Sequence, residues 1–448
     1  MARTRQALSP LLLACAALIG LPAPAAEAKR GPCIPGQKKP TCQIWTAKVF
    51  TVADGDTFNA KVREGGRWSK RKDIRLLGVQ AMELTDYSRA HGRKGECHAV
   101  EAAERLEYLL QGPKVKRRIV RIAAFRKSSK TAGARGRLRR GVAYKSGGRW
   151  RDAGAVLMRE GHALWDPNGQ EWAWNGLYSK LAAQAARDGK RIWDPDSCRP
   201  GPNQESVLKL KLKWDANGND GHNVNGEWVR ITNTDPVNAV SLQGWYVRDA
   251  YLRRYEFPNR FKFPRGAVVP AGGSIRVHVG KGNDTPTDYY WGEPKAIFQN
   301  VKGADKKAVG DGAYLYDPDG DLRAWTQYPC RLDCSDPAEG RVAITVHPTA
   351  PESVAVTNTS NTPLELAEYE LETSPWFYEF GPHTVLAPGQ SIVIVVAQSP
   401  AGDTALTKGW GLDSFVLADK RDVVTLRNPL GTPITCVAWG RGMRCPRG

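Results

Sequence analysis

The sequence predicts a mainly β, multidomain protein whose helices are confined to its N-terminal half. The chain has 448 residues, more than one hydrophobic core usually serves, so several domains are expected. Helical periodicity occurs only before residue 200, whereas short runs with strand patterning occur throughout. One strand pattern at 227–279 recurs at 352–396. These observations predict one mixed domain followed by two related β domains.

The first 28 residues have the pattern of a secretory signal peptide. Arg3 and Arg5 precede an apolar run, and A-P-A-A-E-A offers small-residue cleavage sites. The run is too short to span a membrane comfortably, so no transmembrane span is expected. It continues past Cys15, where a lipoprotein signal would end, so lipidation is the less favoured alternative. We expect a secreted, extracellular protein, with attachment to the cell surface as a variant of that location.

The cysteine count predicts disulfide bonds. Nine cysteines become eight when Cys15 leaves with the signal, an even number in an oxidising compartment. Zinc is the alternative, but no C-x-x-C spacing occurs and Cys97-His98 is a lone adjacent pair. Spacing suggests the pairs Cys33–Cys42, Cys330–Cys334 and Cys436–Cys445, which leaves Cys97 with Cys198.

The net charge of +19 is concentrated in one part of the chain. Residues 29–200 hold 37 Lys or Arg against 17 Asp or Glu, whereas residues 201–448 hold 26 against 28. Twelve basic residues and no acidic one lie between Lys114 and Arg140. A charge run is often only a solvated surface. An excess confined to one domain instead favours a polyanionic partner, because Lys and Arg release counterions from phosphate backbones.

The predicted first domain, residues 29–200, combines strands and helices in an order that suits a small barrel. Strands are predicted at 44–52, 57–62 and 74–79, then at 115–122 and 140–144. Helices are predicted at 97–110, 152–161 and 177–189, the first with Val100, Ala103, Leu106 and Leu110 on one face. This order suits an OB-fold, a closed barrel with helices packed outside it.

Residues 201–448 contain the repeated strand pattern and many tryptophans. E-W-V-R-I-T-N-T and A-G-G-S-I-R-V in the first copy correspond to E-S-V-A-V-T-N-T and P-G-Q-S-I-V-I in the second. Each copy ends in a hairpin signal followed by cysteines. Two tandem immunoglobulin-like β-sandwiches, at 201–335 and 336–448, are the simplest account.

The candidate catalytic and metal-binding residues lie in order along the first domain. D-G-D-T places Asp54 and Asp56 between two strands, although D-G alone is a common hairpin turn. Arg75 lies on the next strand, Glu83 just past it, and Arg140 enters a later strand. A phosphodiesterase needs groups of these kinds. Carboxylates hold a hard cation and take a proton from water, and guanidinium groups bind the phosphate.

Residues 44–195 resemble a staphylococcal-nuclease-like (thermonuclease) domain. The matching motifs are A-D-G-D-T-F, R-L-L-G-V-Q-A-M-E, R-G-V-A-Y, E-G-H-A-L-W and K-R-I-W, five in order over about 150 residues. The resemblance implies an OB-fold barrel that hydrolyses DNA, and RNA as a further substrate, with calcium as the metal. It also implies products that carry 3′-phosphates.

The resemblance implies a role for each residue that matches a motif. Asp56 would be a calcium ligand supported by Asp54, and Ala81 would add its main-chain carbonyl. Gln80 stands where the family has a second carboxylate ligand, so a weak metal site is expected; Met82 and Leu138 replace a proline and a tyrosine of the pattern. Glu83 would be the general base. Arg75 and Arg140 would bind and polarise the phosphate.

The second half resembles lamin-tail domains, closely at 207–330 and more loosely at 340–440. N-G-E-W-V-R-I-T-N-T, L-Q-G-W-Y-V-R-D and G-D-G-A-Y-L-Y-D-P-D-G carry the resemblance. Such domains imply binding or tethering, here to a cell-surface or matrix component that the sequence does not identify. The loop at 215–227 has an EF-hand-like composition, but its glycine and glutamate come one place late, which favours an ordinary turn-rich loop.

The sequence as a whole predicts a secreted nuclease with little base specificity. One alternative is an extracellular protein that binds nucleic acid without cutting it, although binding alone does not need Glu83. A second is a surface or matrix protein whose main work lies in the sandwiches. Structural interpretations remain for single residues: Asp54 as a turn cap, Arg75 as part of a surface ion pair, and Glu83 as a partner of Arg75 or Arg140 without catalysis. His98 and His162 are interpreted as packing or surface residues.

Overall fold

The computed structural model describes residues 29–84, 95–112, 118–125, 136–198, 207–250, 260–300, 310–397, 404–412 and 415–446. The predicted signal peptide and most of the basic run between Lys114 and Arg140 lie outside these ranges. Within them the protein is mainly β, and α-helices occur only in the N-terminal part. Among the helices in these ranges, none has the length and apolar character needed to cross a membrane.

The N-terminal part contains nine strands and three helices within the described ranges. They are β1 Lys29–Pro32, β2 Thr41–Asp54, β3 Thr57–Glu64, β4 Arg67–Leu76, β5 Val79–Ala81, α1 Ala99–Gln111, β6 Ile119–Ala124, β7 Leu138–Ser146, β8 Arg149–Asp152, α2 Ala153–Arg159, β9 Ala163–Trp165 and α3 Asn175–Arg187.

Five strands of this part form a continuous ring of hydrogen-bonded pairs. β2 pairs with β3, β3 with β4, β4 with β7 in parallel, and β7 with β6. β6 then pairs back with β2, so the series of ladders returns to its start. Alternate residues of these strands, such as Ala47, Phe58, Ile74 and Val142, are buried in one hydrophobic cluster.

Two details of the first domain differ from the sequence prediction. The strand expected at 74–79 is the end of β4 followed by a separate β5, because Gly78 adopts a φ of 72° and turns the chain toward β9. In α1, the buried residues are Ala99, Ala102, Leu106, Leu109 and Leu110. Val100, expected on the packed face, is 56 % exposed, so the apolar face is rotated by one position from the expected one.

The two β domains in the second half have the same strand order. The first contains β10 Leu208–Lys213, β11 Trp228–Asn233, β12 Val240–Ser241, β13 Tyr246–Asp249, β14 Arg260–Lys262, β15 Val268–Val269, β16 Ser274–His278, β17 Asp288–Tyr290, β18 Asp311–Tyr316 and β19 Leu322–Tyr328. The second contains β20 Val342–His347, β21 Ser353–Asn358, β22 Leu364–Glu365, β23 Glu370–Thr373, β24 Trp376–Glu379, β25 Val385–Leu386, β26 Ser391–Val395, β27 Thr407–Gly409, β28 Asp422–Arg427 and β29 Pro433–Trp439.

Each β domain has two four-stranded sheets with equivalent pairings. The sheets β10-β11-β16-β17 and β14-β13-β18-β19 correspond to β20-β21-β26-β27 and β24-β23-β28-β29. Buried polar residues repeat as well: Glu227 accepts backbone hydrogen bonds from Ile297 and Phe298, as Glu352 does from Val416 and Leu417. The repeated sequence pattern therefore specifies a repeated structure. Glu227, the late glutamate of the EF-hand-like loop, is part of the sandwich interior.

All four cysteine pairs suggested by spacing are disulfides in the structure. Cys97 and Cys198 join the start of α1 to the segment that follows α3, across 101 positions of sequence. The local pairs are Cys33–Cys42, Cys330–Cys334 and Cys436–Cys445.

The core of the N-terminal part continues into the first sandwich. Ala250, Tyr314, Tyr316 and Leu322 of the sandwich belong to the same buried cluster as residues of the five-strand ring. At its edge the ring of Trp193 packs edge-on against Trp325, with centroids 5.5 Å apart. A shared core of this kind holds the two parts in one arrangement, since separating them would expose apolar surface.

Candidate active site

The D-G-D-T segment forms the tight connection between β2 and β3 and lies against two other elements. Asp54 accepts a hydrogen bond from the Asp56 amide at 3.1 Å. A Cβ atom at Gly55 would lie 2.6 Å from the Cβ atoms of both Ala81 and Ala102. Glycine is therefore required here, because only its bare backbone lets the turn approach β5 and α1 so closely. This close approach brings Asp56 beside the residues that follow β4.

Asp56 is the centre of a buried hydrogen-bond network. Its Oδ1 accepts from the guanidinium of Arg75 and from the Thr57 hydroxyl at 3.0 Å, and its Oδ2 accepts from the Ala81 amide at 2.9 Å. Asp56 and Arg75 are both buried. Burial raises the pKa of Asp56 well above its ordinary value; Arg75 opposes this rise, while the carboxylates of Asp54 and Glu83 add to it. The network is therefore short of positive charge.

Gln80 connects Arg75 to Glu83. Its side-chain oxygen accepts from Arg75 Nη2 at 2.6 Å, and its Nε2 donates to the Ala81 carbonyl at 2.9 Å and to Glu83 Oε1 at 3.2 Å. Gln80 is completely buried. Both ends of the amide are used, so a carboxylate at this position could not make the same set of contacts.

Glu83 combines a fixed backbone with one carboxylate oxygen that the network leaves open. Its amide donates to Glu96 Oε2 at 2.8 Å and its carbonyl accepts from the Glu96 amide at 2.9 Å. Within the described part of the chain, the buried Oε2 of Glu83 has no hydrogen-bond partner. Burial raises the pKa of Glu83 to about 7; Arg75 lowers it, and Asp54 and Glu96 raise it further. A carboxyl group with that pKa can exchange a proton near neutral pH.

Arg140 lies in a different environment from Arg75. Strand register pairs Arg140 with Leu76, whereas Arg75 pairs with Arg139. The Arg140 side chain donates to the Arg139 carbonyl at 2.7 Å, and its guanidinium lies 5.0 Å from the centre of the Trp45 ring. Burial lowers the pKa of Arg140 to about 10, and Glu171 and Glu64 oppose the decrease. A buried guanidinium with a lowered pKa favours the approach of an anion.

Arg139 shares its strand face with Arg75, a relation that sequence reasoning missed. Opposite residues of a parallel pair point to the same side, and Arg139 forms an ion pair with the buried carboxylate of Asp166 at 3.2 Å. The negative charge of Asp166 also contributes to raising the pKa of Arg75. The alternation of side chains along a strand could have predicted this relation. Four arginines lie at positions 135–140, and odd-numbered and even-numbered positions of a strand face opposite sides.

Three residues of this network carry oxygen atoms of the types that bind hard divalent cations, although each of these oxygens already accepts a hydrogen bond. Asp56 carboxylate, Gln80 amide and Ala81 carbonyl oxygens are the ligand types that calcium prefers. Among the described residues, the carboxyl groups of Asp54, Asp56, Glu83 and Asp166 all interact electrostatically with the Arg75 guanidinium, so acidic groups outnumber it. Within the described ranges, the cluster of three potential His, Cys, Asp or Glu ligand atoms inside 4.8 Å is Cys97, Cys198 and Asp321, where the thiols form a disulfide. Carboxylates alone therefore do not enclose an ion at Asp56, and amide and carbonyl oxygens would have to contribute.

The two histidines interpreted as packing residues lie together away from this network. The rings of His98 and His162 are 5.5 Å apart, and burial lowers the pKa of His162 to about 3. Arg191 and Arg105 add to the decrease. His162 is therefore uncharged at neutral pH.

Comparison with known protein families identifies the second half of the chain. The family model for the lamin tail domain matches residues 213–330 and again residues 335–441, which together are about half of the sequence. These two ranges correspond to the two equivalent β domains described above. No curated protein matches the chain. Through its two tandem copies, the protein belongs to the lamin tail domain family.

Proposed function

We propose that this protein is a secreted nuclease that hydrolyses phosphodiester bonds of DNA, with RNA as a second substrate. The observation that carries the proposal is the buried Oε2 of Glu83, which has no hydrogen-bond partner among the described residues and belongs to a carboxylate linked through Gln80 to Arg75 and Asp56. An unsatisfied buried acceptor costs about 1–3 kcal/mol, a cost that a role in proton transfer would account for. An open acceptor with a pKa near 7 is suited to accept a proton from water.

The fold proposed for residues 29–200 is an OB-fold barrel of the staphylococcal-nuclease type. Support comes from the ring of five paired strands β2-β3-β4-β7-β6, with α1 packed against β2 and with α2 and α3 packed together. In that fold the D-G-D-T turn and the end of β4 lie at the same end of the barrel. The two lamin tail domains then begin after this domain, at about residue 201, with a boundary between them near residue 335.

In the proposed reaction, Glu83 takes a proton from the attacking water while Arg75 binds the phosphate. The resemblance assigns Arg140 to the same phosphate, although strand register places Arg139, and not Arg140, on the face of Arg75. Negative charge grows on the phosphate oxygens in the transition state, and buried guanidinium groups stabilise it strongly because little water screens them. When bound beside Asp56, Gln80 and Ala81, calcium would supply a further positive charge to the phosphate. Attack that expels the 5′ oxygen would give products with 3′-phosphates, as the resemblance implies.

The proposed substrate is held by charge and not by base recognition. The N-terminal part contains the whole positive excess of the chain, and Arg118, Arg121, Lys145, Arg149 and Arg151 of its described portion lie on or beside β6, β7 and β8. Contacts from such residues to phosphates position a nucleic acid without reading its sequence. Four disulfides are compatible with the proposed extracellular location.

A non-catalytic nucleic-acid-binding or surface-tethering protein is the second candidate, and Gln80 is the observation that favours it. Its Nε2 donates to the Ala81 carbonyl and to Glu83 Oε1, which are oxygens that a cation would otherwise attract. The network can therefore persist without metal. Two lamin tail domains would supply the tether in that case.

A digestion assay separates the two candidates. Purified mature protein is incubated with supercoiled plasmid, in calcium or in chelator, beside the Glu83→Gln variant. The proposed function predicts nicking and linearisation in calcium, loss of cutting in chelator, and loss of cutting in the variant. Gel-shift binding without any cutting would support the second candidate. Cutting that survives both chelator and Glu83→Gln would contradict the proposed mechanism.

A further inference from the structure

We propose that Arg248, in the first lamin tail domain, is a positioning residue for Glu83, so that the nuclease site is assembled from two domains. The inference rests on the proposed nuclease function. It assigns to the lamin tail domain a part in catalysis in addition to any tethering. Arg248 does not touch the reacting atoms; it acts through Glu96.

A short series of contacts joins the two residues across the domain boundary. Arg248 Nη1 forms an ion pair with Glu96 Oε1 at 3.2 Å. The other oxygen of the same carboxylate, Oε2, accepts the Glu83 amide at 2.8 Å. Arg248 is separated from Glu96 by 152 positions of sequence, and it lies on β13 of the sandwich. One carboxylate therefore connects the sandwich to the backbone of the proposed general base.

Glu96 fixes Glu83 from two directions. Besides accepting from the Glu83 amide through its carboxylate, Glu96 donates its own amide to the Glu83 carbonyl at 2.9 Å, so two hydrogen bonds join these residues. Met82 takes the place of the proline that the nuclease pattern has before the glutamate. A proline would fix φ through its ring, whereas methionine leaves the chain free there. The Glu96 contacts supply the missing restraint.

Burial makes the ion pair strong and directional. Arg248 is 2 % exposed and the Glu96 side chain 15 % exposed, so water competes weakly for either charge. Arg248 is itself held, since its Nε donates to the Asp249 carbonyl at 3.2 Å. Removal of the guanidinium would leave the Glu96 carboxylate buried without its cation, and rotation of that carboxylate toward water would release the Glu83 amide.

Other contacts join the N-terminal part to the first sandwich near this ion pair. The Cys97–Cys198 disulfide adjoins Glu96, and the Cys198 amide donates to Asp321 of the sandwich at 2.7 Å. Arg323 of the sandwich also approaches Asp196, at 3.6 Å, but its closer partner is Asp317 of the sandwich itself, at 2.7 Å. The position of Arg248 relative to Glu96 is therefore set by the interface as a whole and does not depend on this ion pair alone.

The test compares Arg248→Met with a matched arginine at the same boundary. Arg323→Met removes another buried sandwich arginine that contacts the N-terminal part, but at Asp196 and not at Glu96. Full-length variants are assayed for plasmid cutting in calcium, with kcat and KM measured separately and folding checked by circular dichroism. We expect Arg248→Met to lower kcat by roughly 10- to 100-fold with KM nearly unchanged, since small displacements of a catalytic group have effects of this size. Arg323→Met should keep kcat within about threefold of the unaltered protein.

A second variant keeps the inference testable if Arg248→Met folds poorly. Glu96→Gln removes the other charge of the pair, and the Glu96→Gln/Arg248→Met double variant should cost no more activity than the worse single variant, as expected for residues that act in one series. Equal losses of kcat from Arg248→Met and Arg323→Met, or additive losses in the double variant, would overturn the positioning role. An active protein whose kcat is unchanged by Arg248→Met would overturn this inference alone. Absence of cutting in the unaltered protein would overturn the proposed function and the positioning role with it.

Discussion

The amide nitrogen of Gln80 donates to the carboxylate of Glu83 across 3.2 Å, inside a network from which water is largely excluded. A divalent cation bound here would attract the same Glu83 oxygen that now accepts from the Gln80 amide group. Gln80 also accepts from Arg75, so its amide joins the proposed phosphate-binding arginine to the proposed general base. The neutral amide keeps the network connected, but it adds no negative charge with which to attract a metal.

Gln80→Asp is predicted to lower the calcium concentration needed for half-maximal cutting. The carboxylate adds a charge at a ligand position, and it removes the donor that now bonds the Ala81 carbonyl and Glu83. Extracellular calcium modules work with dissociation constants of roughly 10⁻⁴ to 10⁻³ M, so an effect of about tenfold falls in a measurable range. Plasmid cutting is titrated with calcium for the variant, for the unaltered protein and for Gln80→Asn as the uncharged control. An identical calcium requirement in all three proteins would make Gln80 a structural residue only.

Arg140→Lys is predicted to reduce cutting more than Arg139→Lys does. Arg140 is the more buried of the two, and a planar guanidinium can bind two phosphate oxygens where lysine offers one point charge. Arg139 is partly committed to Asp166 at 3.2 Å. We expect a loss of roughly 10²-fold in kcat for Arg140→Lys and less than tenfold for Arg139→Lys, measured at saturating calcium. The reverse order would assign the phosphate contact to Arg139, which lies on the strand face of Arg75.

The metal-free stability of Glu83→Gln is predicted to exceed that of the unaltered protein at high pH only. The pKa of Glu83 is raised from its ordinary value of 4.5 to about 7, so the folded chain holds this proton more tightly than the unfolded chain. Ionisation of Glu83 therefore begins to destabilise the fold above pH 4.5, and the penalty is complete above pH 7, at roughly 3 kcal/mol. Thermal unfolding in chelator at pH 4 and pH 8 measures the difference. The melting temperatures should agree at pH 4 and separate at pH 8; a difference that is the same at both pH values would contradict the assignment.

Much of the architecture follows from sequence patterns whose physical basis is local. Alternating apolar residues predict β2, β3 and β7, and the helical period predicts α1. The repeat of E-W-V-R-I-T-N and E-S-V-A-V-T-N predicts two equivalent sandwiches, and Glu227 and Glu352 occupy equivalent buried positions because each satisfies backbone amides. The separation of β5 from β4 was not predicted, since L-L-G-V has strand composition and only the φ of Gly78 turns the chain.

The candidate site likewise contains contacts that sequence motifs predict and contacts that they do not. The motif order places Asp56, Arg75 and Glu83 on neighbouring elements, and the structure brings them into one network. The use of both ends of the Gln80 amide depends on side-chain geometry that no motif carries. Arg248 could not be associated with Glu96 from sequence, because 152 positions separate them and no local pattern reports a contact between domains.

The most direct test of the central claim is the rate of plasmid cleavage by Glu83→Gln relative to Glu104→Gln, in saturating calcium. Glu104 is an exposed residue of α1, the helix that packs against Gly55, so its variant controls for the loss of one negative charge from the same part of the chain. Removal of a general base typically costs 10²- to 10⁴-fold, while binding of the plasmid should change little. The account predicts a loss of that size for Glu83→Gln and an unchanged rate for Glu104→Gln. Equal cleavage rates for the two variants would contradict the claim that Glu83 activates water.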